Sequence, residues 1–564
     1  MRNLRRYILA VLCGLYLGLF LLLPIAMAIR EGFFFEGDWS LVWVQRVFTD
    51  LASREGLLNS LRLACITTLA VFVVGLPLAV VANQYSFRGK NLLSALLMVP
   101  MILPPFVGAL AMRQILARES GSINLLLAMA GLPKVDFLGS GLAGVVILEV
   151  LHLYPILYLN AVAALANVDP TLIEAARGLG ASRWTVFRRI VLPLIRPGLF
   201  AGGTIVFIWS FCELGTPAMM GYDQVLPVQI FHALIEADTS PSIYAMVFVL
   251  LGASVGMYAV GKFLFGRAVG GSTGRGVATQ AHRAGFVGTV LIWGLFGAVT
   301  LAAVTPHLGV VLMSFARRWS GTILPESYTL QHVRDIFGRA DTWPSILNSL
   351  HYASLATAVD IVAGLTIAVL VVRMKIRGGW LLDSLAMLPL AVPGLVIASG
   401  YIVLTSRPPE IPYLKDLLAE YSPGRNPTLI LIIAYSIRRL PYMVRSISAG
   451  LEQTSPTLEE AARNLGAGPL RTLLRVTVPL ISANVLAGAI LAFSFAMLEV
   501  SDSLILAQTK PYYPITKTIY ALANSAGTQN LAAAMGMLGM VLLTATLAAA
   551  SLLLGRRMGA MFRV

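Results

Sequence analysis

The chain has 564 residues, of which 57% are apolar and 12% charged, with a mean hydropathy of +0.79 and a formal net charge of +15. Soluble proteins carry about a quarter of their residues as charges, and a globule of this size has too little interior to hide so much apolar surface. The composition excludes a soluble globule, a disordered chain, a collagen-like fibre and a disulfide scaffold; Cys13, Cys65 and Cys212 sit in apolar runs and read as small core hydrophobes.

A membrane-spanning helix needs about 20 mostly apolar residues. Twelve such spans are predicted, at 7–29, 57–83, 92–111, 141–166, 197–219, 242–265, 285–312, 344–372, 381–405, 427–451, 483–507 and 529–554. The first opens after Arg2, Arg5 and Arg6 and ends in Ala26-Met27-Ala28, which has the A-x-A form of a signal-peptide cleavage site. Its apolar run is long for a signal peptide, and removing it would leave eleven spans, so a retained span is expected. Pro77, Pro104 and Pro393 fall inside spans, which bundle helices tolerate because neighbours satisfy the freed carbonyls.

Lys and Arg in the connections set the orientation. With a cytoplasmic N-terminus, the inner connections (1–6, 84–91, 167–196, 262–284, 373–380, 452–482 and 556–564) hold 23 Lys and Arg against 15 in the outer ones. Both termini are then cytoplasmic. The isoelectric point near 9.9 reflects this bias rather than nucleic-acid binding.

The chain is a tandem repeat. Residues 170–195, PTLIEAARGLGASRWTVFRRIVLPLI, align without a gap on 456–481, PTLEEAARNLGAGPLRTLLRVTVPLI, with 14 identities in 26 positions at an offset of 286. Pro155 matches Pro441 and Glu213 matches Glu499; Asn59-Ser60-Leu61 and Pro100 match Asn348-Ser349-Leu350 and Pro389 at an offset of 289. Six spans per half keep both halves in the same orientation, a parallel repeat. The predicted organisation is a first repeat at 1–265, a Gly- and Ser-rich linker at 266–284 and a second repeat at 285–564.

Both copies of the repeated segment lie between the fourth and fifth spans of their half. Asp169-Pro170 and Ser455-Pro456 give an N-cap followed by Pro at the first helical position. A short helix follows and is stopped by Gly180 or Gly466. A second, basic helix is expected to end at Pro193 or Pro479. Two matching lugs on a pseudo-two-fold axis suit a two-fold symmetric partner.

The pattern EAA, three residues, Gly, nine residues, I-x-L-P resembles the coupling-loop motif of inner-membrane permeases of ATP-binding-cassette importers. Glu174, Ala175, Ala176, Gly180, Ile190, Leu192 and Pro193 match it fully; Glu460, Ala461, Ala462, Gly466 and Pro479 match with Val476 and Val478 in place of Ile and Leu. The resemblance covers nearly all of the chain and implies an all-α polytopic permease with both transmembrane subunits fused. It further implies two ATPase subunits docked on the loops, a periplasmic or lipid-anchored substrate-binding protein at the outer face, and a bacterial inner-membrane location. The chain has no G-x-x-x-x-G-K-[ST] phosphate loop and no metal or catalytic motif, so it is expected not to be an enzyme and to bind no cofactor; ATP and magnesium would sit on the partners.

Charges at membrane depth are functional candidates by default. The spans hold six acids, Glu149, Glu213, Asp360, Asp383, Glu499 and Asp502, and four bases, Arg62, Arg438, Arg439 and Arg445. Asp360, Asp383 and Arg445 are set aside as interfacial or structurally paired. Glu149, His152, Glu213, Arg438, Arg439 and Glu499 are the candidates for a translocation path, His152 being the repeat mate of Arg438. Path lining and buried ion pairing, for instance Glu149 with an arginine, stand as equal readings. Adjacent Arg438 and Arg439 are separated by about 100° of helical turn, so one is expected on the path and the other on an acid.

The run IRRLPYMVRSISAGLEQTSPTLEEAARNLGA resembles the ferric-iron branch of fused permeases, with aminoethylphosphonate, thiamine and polyamine permeases as near relatives. An ion-coupled secondary transporter would also use repeats and buried carboxylates, but has no need of twin coupling loops.

Overall fold

The computed structural model describes residues 2–35, 38–102, 105–236, 240–265 and 282–554. Most of the predicted linker at 266–284, Pro104 and the chain beyond 554 lie outside the described residues.

The described chain is almost wholly helical. Eight helices among the described residues are long and apolar enough to cross a membrane: Arg6–Gly32, Leu51–Gln84, Leu142–Ala166, Arg183–Phe211, Pro241–Val260, Phe286–Phe315, Trp343–Arg373 and Gln529–Thr546. Two more predicted spans are bent pairs, Lys90–Met101 with Pro105–Leu116 and Gly379–Leu390 with Gly394–Ser406; in a third pair, Pro469–Leu480 with Ser482–Met497, only the second arm falls within a predicted span, 483–507. The middle pair turns through 102°, because a helix cannot run through Ala391-Val392-Pro393 with Pro393 at φ −57° and ψ 139°. The remaining predicted span is the helix Thr428–Gln453, whose arginines Arg438, Arg439 and Arg445 make it too charged to qualify on composition.

The chain divides into two compact units, each drawn from both sequence halves. One comprises Met1–Asp50, Ile230–Leu251 and Val333–Val564; the other Leu51–Gln229 and Gly252–His332. The first span of each half is therefore packed within the unit built mainly from the opposite half. In one unit Gly400 leaves no room beside Pro24, since an added Cβ would lie 2.5 Å from its carbonyl carbon; in the other, a Cβ on Gly309 would lie 2.6 Å from Ala111 Cβ. Ala111 and Gly400 are repeat mates, so the same position receives a foreign first span in both units.

The core of each unit is the same crossing of three helices, and small residues set it. Lipid offers apolar side chains as good an environment as a protein interior, so membrane helices gain by close approach of their backbones. A Cβ on Gly75 would lie 3.2 Å from the Tyr154 carbonyl oxygen, and one on Gly202 3.2 Å from Leu157. Their mates repeat the arrangement: a Cβ on Gly364 or Gly488 would lie 2.6 or 3.0 Å from Met443. Leu78, Tyr154, Leu157 and Val206 fill the first crossing, and Met443, Ile447 and Leu451 the second.

Candidate functional site: buried charges and two matching loops

The two EAA segments fold alike. Asp169 accepts from Thr171 N at 2.9 Å and from Thr171 Oγ1 at 2.7 Å, and Ser455 Oγ accepts from Thr457 N at 3.3 Å. Asp169 is the N-cap of the helix Pro170–Gly178, and Ser455, one residue before the Pro456 N-cap, bonds the first amide of Thr457–Asn464. Both helices close with the same pair of bonds: Gly180 N to Arg177 O with Ala181 N to Ala176 O, and Gly466 N to Arg463 O with Ala467 N to Ala462 O. The glycines have φ of +83° and +86°, the left-handed turn that a C′ glycine supplies. Glu174, Ala175, Glu460 and Ala461 are exposed, and Ala176 and Ala462 half-buried. Leu179 and Leu465 are repeat mates and are exposed to the same degree, 90% and 89%.

The Thr171 hydroxyl and amide hold the Asp169 carboxyl below the usual carboxylate range. A carboxyl whose pKa is lowered by folding contributes its stabilisation at neutral pH and loses it as pH falls through that lowered value. Protection of the Thr171 amide, measured relative to its intrinsic exchange rate at each pH, should therefore fall on acidification in the parent, whereas in Asp169→Ala it should be low at every pH.

Only the second of the two prolines ends its helix as expected. In the first copy the helix runs on from Arg183 to Phe211 through Pro193, and a π-helical turn at Phe187–Val191 takes up the misfit between the ring and the carbonyl four residues back. In the second copy a π turn at Leu473–Thr477 precedes Pro479, and the helix ends one residue beyond it at Leu480, where the chain bends by 77°.

The fifth span of each half breaks at its candidate acid. The helix Leu192–Phe211 stops just before Glu213, whose Oε1 accepts from Thr216 N at 3.1 Å and Thr216 Oγ1 at 3.2 Å and so caps the next helix, Gly215–Met220. Ser482–Met497 stops just before Glu499, and Ser501–Leu506 follows it. Irregular backbone at membrane depth is tolerated where it is buried in protein or lines a cavity. Breaks at matching positions of two repeats are the usual ground plan of a substrate path.

The two breaks carry different electrostatics. Glu499 is 3% exposed and binds both arginines: Arg438 Nη1 lies 3.2 Å from its Oε1, and Arg439 Nη2 pairs with its Oε2. Arg438 also lies 3.9 Å from Asp502. The expectation that only one arginine faces an acid is thus corrected. Two guanidiniums 100° apart on a helix can converge because the stems are long and Glu499 stands in a break, off any helical face. Glu149 pairs with hydroxyls rather than with an arginine: Thr67 Oγ1 donates at 3.1 Å, and Ser210 Oγ donates to the same oxygen. His152 Nδ1 bonds the Pro100 carbonyl oxygen at 2.8 Å, so it acts there as the donor. Its mate Arg438 presses on Gly394, which begins the second arm of the bent pair. Both fourth-span mates therefore reach the break in the third span of their half.

Further buried acids belong to this network. Asp360, set aside above, is fully buried; Ser436 Oγ donates to its Oδ1 at 2.6 Å, and Tyr16 OH lies 2.7 Å from the same hydroxyl. Asp502 is fully buried, with neither carboxylate oxygen hydrogen-bonded. Its spacing of three from Glu499 was the available signal. Arg445 does pair, with Asp383 at 4.0 Å.

Gly394 gives a direct test of this packing. A Cβ there would run into Arg438 Nη1, so Gly394→Ala should displace the guanidinium from Glu499 and cost about 1–3 kcal/mol, as overpacking does. A lower midpoint of thermal unfolding in detergent is expected, with Gly468→Ala, where an added Cβ meets nothing within 4 Å, close to the parent.

Residues 72–270 and 360–560 each match the family of binding-protein-dependent transport system inner membrane components. The chain belongs to this family. It is a multi-pass inner-membrane permease of the importer class, with the family domain present twice. It is 28% identical to a putative ferric transport system permease protein of Haemophilus influenzae, over 89% of this chain and 78% of that protein. The same identity relates it to a ferric transport system permease protein of Actinobacillus pleuropneumoniae, over 78% of this chain and 63% of the relative. A probable molybdenum permease protein of Haloferax volcanii is 33% identical over 35% of this chain and 70% of that protein.

Proposed function

We propose that this permease carries ferric iron inward, with a periplasmic or lipid-anchored protein delivering the cargo and two ATPase subunits docked on the EAA loops. The reading rests on one observation above all. The two loops have matching caps, matching left-handed glycines and matching exposed leucines, the form expected of paired docking sites for two copies of one partner. The excess of Lys and Arg in the same connections favours a cytoplasmic position for these loops and for both termini. The chain carries no nucleotide-binding motif, so hydrolysis falls to the partners, which hold the ATP and magnesium.

Ferric iron is favoured by the relatives that match most of the chain. The molybdenum permease matches only about a third of it. Both buried arginines are engaged by Glu499, which weakens the case for a bare oxyanion. The test is uptake of radioactive ferric citrate by vesicles holding the permease with the ATPase and binding protein that co-purify with it. ATP-dependent accumulation of iron that molybdate, thiamine and aminoethylphosphonate do not compete away is expected. Accumulation without ATP, or of a competitor instead of iron, overturns the proposal.

A further inference from the structure

The two coupling helices have the same fold but are fastened to the membrane spans by different forces. At the first loop the contacts with the spans are apolar, apart from an exposed 3.5 Å contact of Arg177 with His282, which pairs with Tyr85. Val168 is buried, and Ile173 and Ala176 pack against the cluster that contains Leu78, Leu157 and Val191. The repeat mates of Val168 and Ile173 are Thr454 and Glu459, and the mate of Gln84 is Arg373. At the second loop these three polar residues make the joint. Arg373 Nε donates to Glu459 Oε1 at 3.0 Å, and Arg373 Nη2 donates to Thr454 O at 2.9 Å and to Thr454 Oγ1 at 2.7 Å. Glu459 Oε2 lies 3.8 Å from Arg463, one turn further along the coupling helix. The side chains of Arg373 and Glu459 are only 13% and 7% exposed, so water screens the pair weakly.

One guanidinium thus joins three pieces of chain. Arg373 ends the helix Trp343–Arg373, Thr454 caps Thr428–Gln453, and Glu459 lies in the coupling helix Thr457–Asn464. A planar guanidinium holding several acceptors fixes angle as well as distance. Apolar side chains such as Ile173 and Val168 can slide while staying in contact, because the hydrophobic effect has no direction. We propose that Arg373 is the positioning residue that locks the second coupling helix to the second and fourth spans of its half, so that displacement of that loop moves those spans as one body. The first coupling helix, held by apolar contact and one long, exposed polar contact, has more play. The inference rests on the reading of the loops as ATPase docking sites.

The test uses the full chain with its ATPase and binding protein in proteoliposomes, with ferric citrate as the probe. Nitroxide labels are placed at Leu465→Cys or its mate Leu179→Cys, after replacement of Cys13, Cys65 and Cys212. In Arg373→Ala the label at 465 should gain mobility while the label at 179 does not. Iron uptake per ATP hydrolysed should fall about tenfold, the scale of one charge-assisted bond. Arg373→Lys should fall between the two, and the reversed pair Arg373→Glu with Glu459→Arg should recover coupling beyond either single change. Unchanged mobility at 465, or an unchanged ratio of uptake to hydrolysis, overturns the proposal. So does equal loss of both activities with a general fall in stability, which would make Arg373 a fold-holding residue only. If the parent hydrolyses ATP without moving iron, the substrate reading fails, and the two labels still decide whether Arg373 fastens the second loop alone.

Discussion

Glu499→Gln should destabilise the permease more than loss of either arginine bound to it. In the parent, Glu499 neutralises Arg438 at 3.2 Å and Arg439 through its other oxygen, and all three side chains are largely buried. Removing one partner of a buried ion pair typically costs about 3–5 kcal/mol, because the remaining charge stays buried and uncompensated. Glu499→Gln leaves two such guanidiniums. Asp502, 3.9 Å from Arg438, can take up that one by a small shift; no carboxylate other than Glu499 lies within ion-pair distance of Arg439 among the described residues. Arg439→Gln leaves Glu499 still paired with Arg438, and Arg438→Gln leaves it paired with Arg439. The expected order of stability is therefore parent, then the two arginine variants, then Glu499→Gln, read as thermal unfolding midpoints in detergent. Glu213→Gln, whose parent carboxylate caps a short helix through Thr216, should cost about 1 kcal/mol, the scale of a cap. If Glu499→Gln unfolded at the temperature of the parent, the carboxylate would not be the keystone of this network.

The features legible in the sequence are those that local composition dictates. Long apolar runs read as spans, and in eight cases each is one helix. The EAA segments were readable to the atom because caps and C′ glycines act within a few residues: Asp169, Ser455, Gly180 and Gly466 all do what their residue types predict. The breaks were not legible. Apolar windows average over Ala391-Val392-Pro393 and over Cys212-Glu213-Leu214, and both remain apolar enough to count as continuous span. Pairing was harder still. Arg438 and Arg439 leave their helix about 100° apart at the Cα atoms, but their guanidiniums meet on a carboxylate presented from a break, which belongs to no helical face. Arg373 and Glu459 lie 86 residues apart, and nothing in either neighbourhood of sequence announces the partner.

Gly180→Val and Gly466→Val should abolish coupled uptake while leaving the protein inserted and folded. Both glycines stand at positive φ, +83° and +86°. An added Cβ would meet nothing within 4 Å at either site, so crowding by neighbours is excluded as the cause and any effect must come from the backbone. A β-branched residue is the worst occupant of the left-handed region, and holding one there costs on the order of 1–3 kcal/mol. The loop can escape that strain by leaving the left-handed turn. That would break the bonds from Gly180 N and Ala181 N, or from Gly466 N and Ala467 N, back to the helix, and would swing the neighbouring leucine out of its position. The cost is small against a protein of many packed helices, and Gly180 and Gly466 themselves touch none of its core, so expression and thermal midpoint should stay near the parent. Asn tolerates the left-handed region, so Gly180→Asn and Gly466→Asn should retain most uptake, and Ala should fall between. This ordering separates turn geometry from side-chain chemistry, because Asn is larger and more polar than Ala yet is expected to do less harm. Uptake that declined with side-chain size regardless of backbone preference would mean that the loops present a surface, not a turn, to their partner. Normal uptake in both valine variants would remove the docking role altogether.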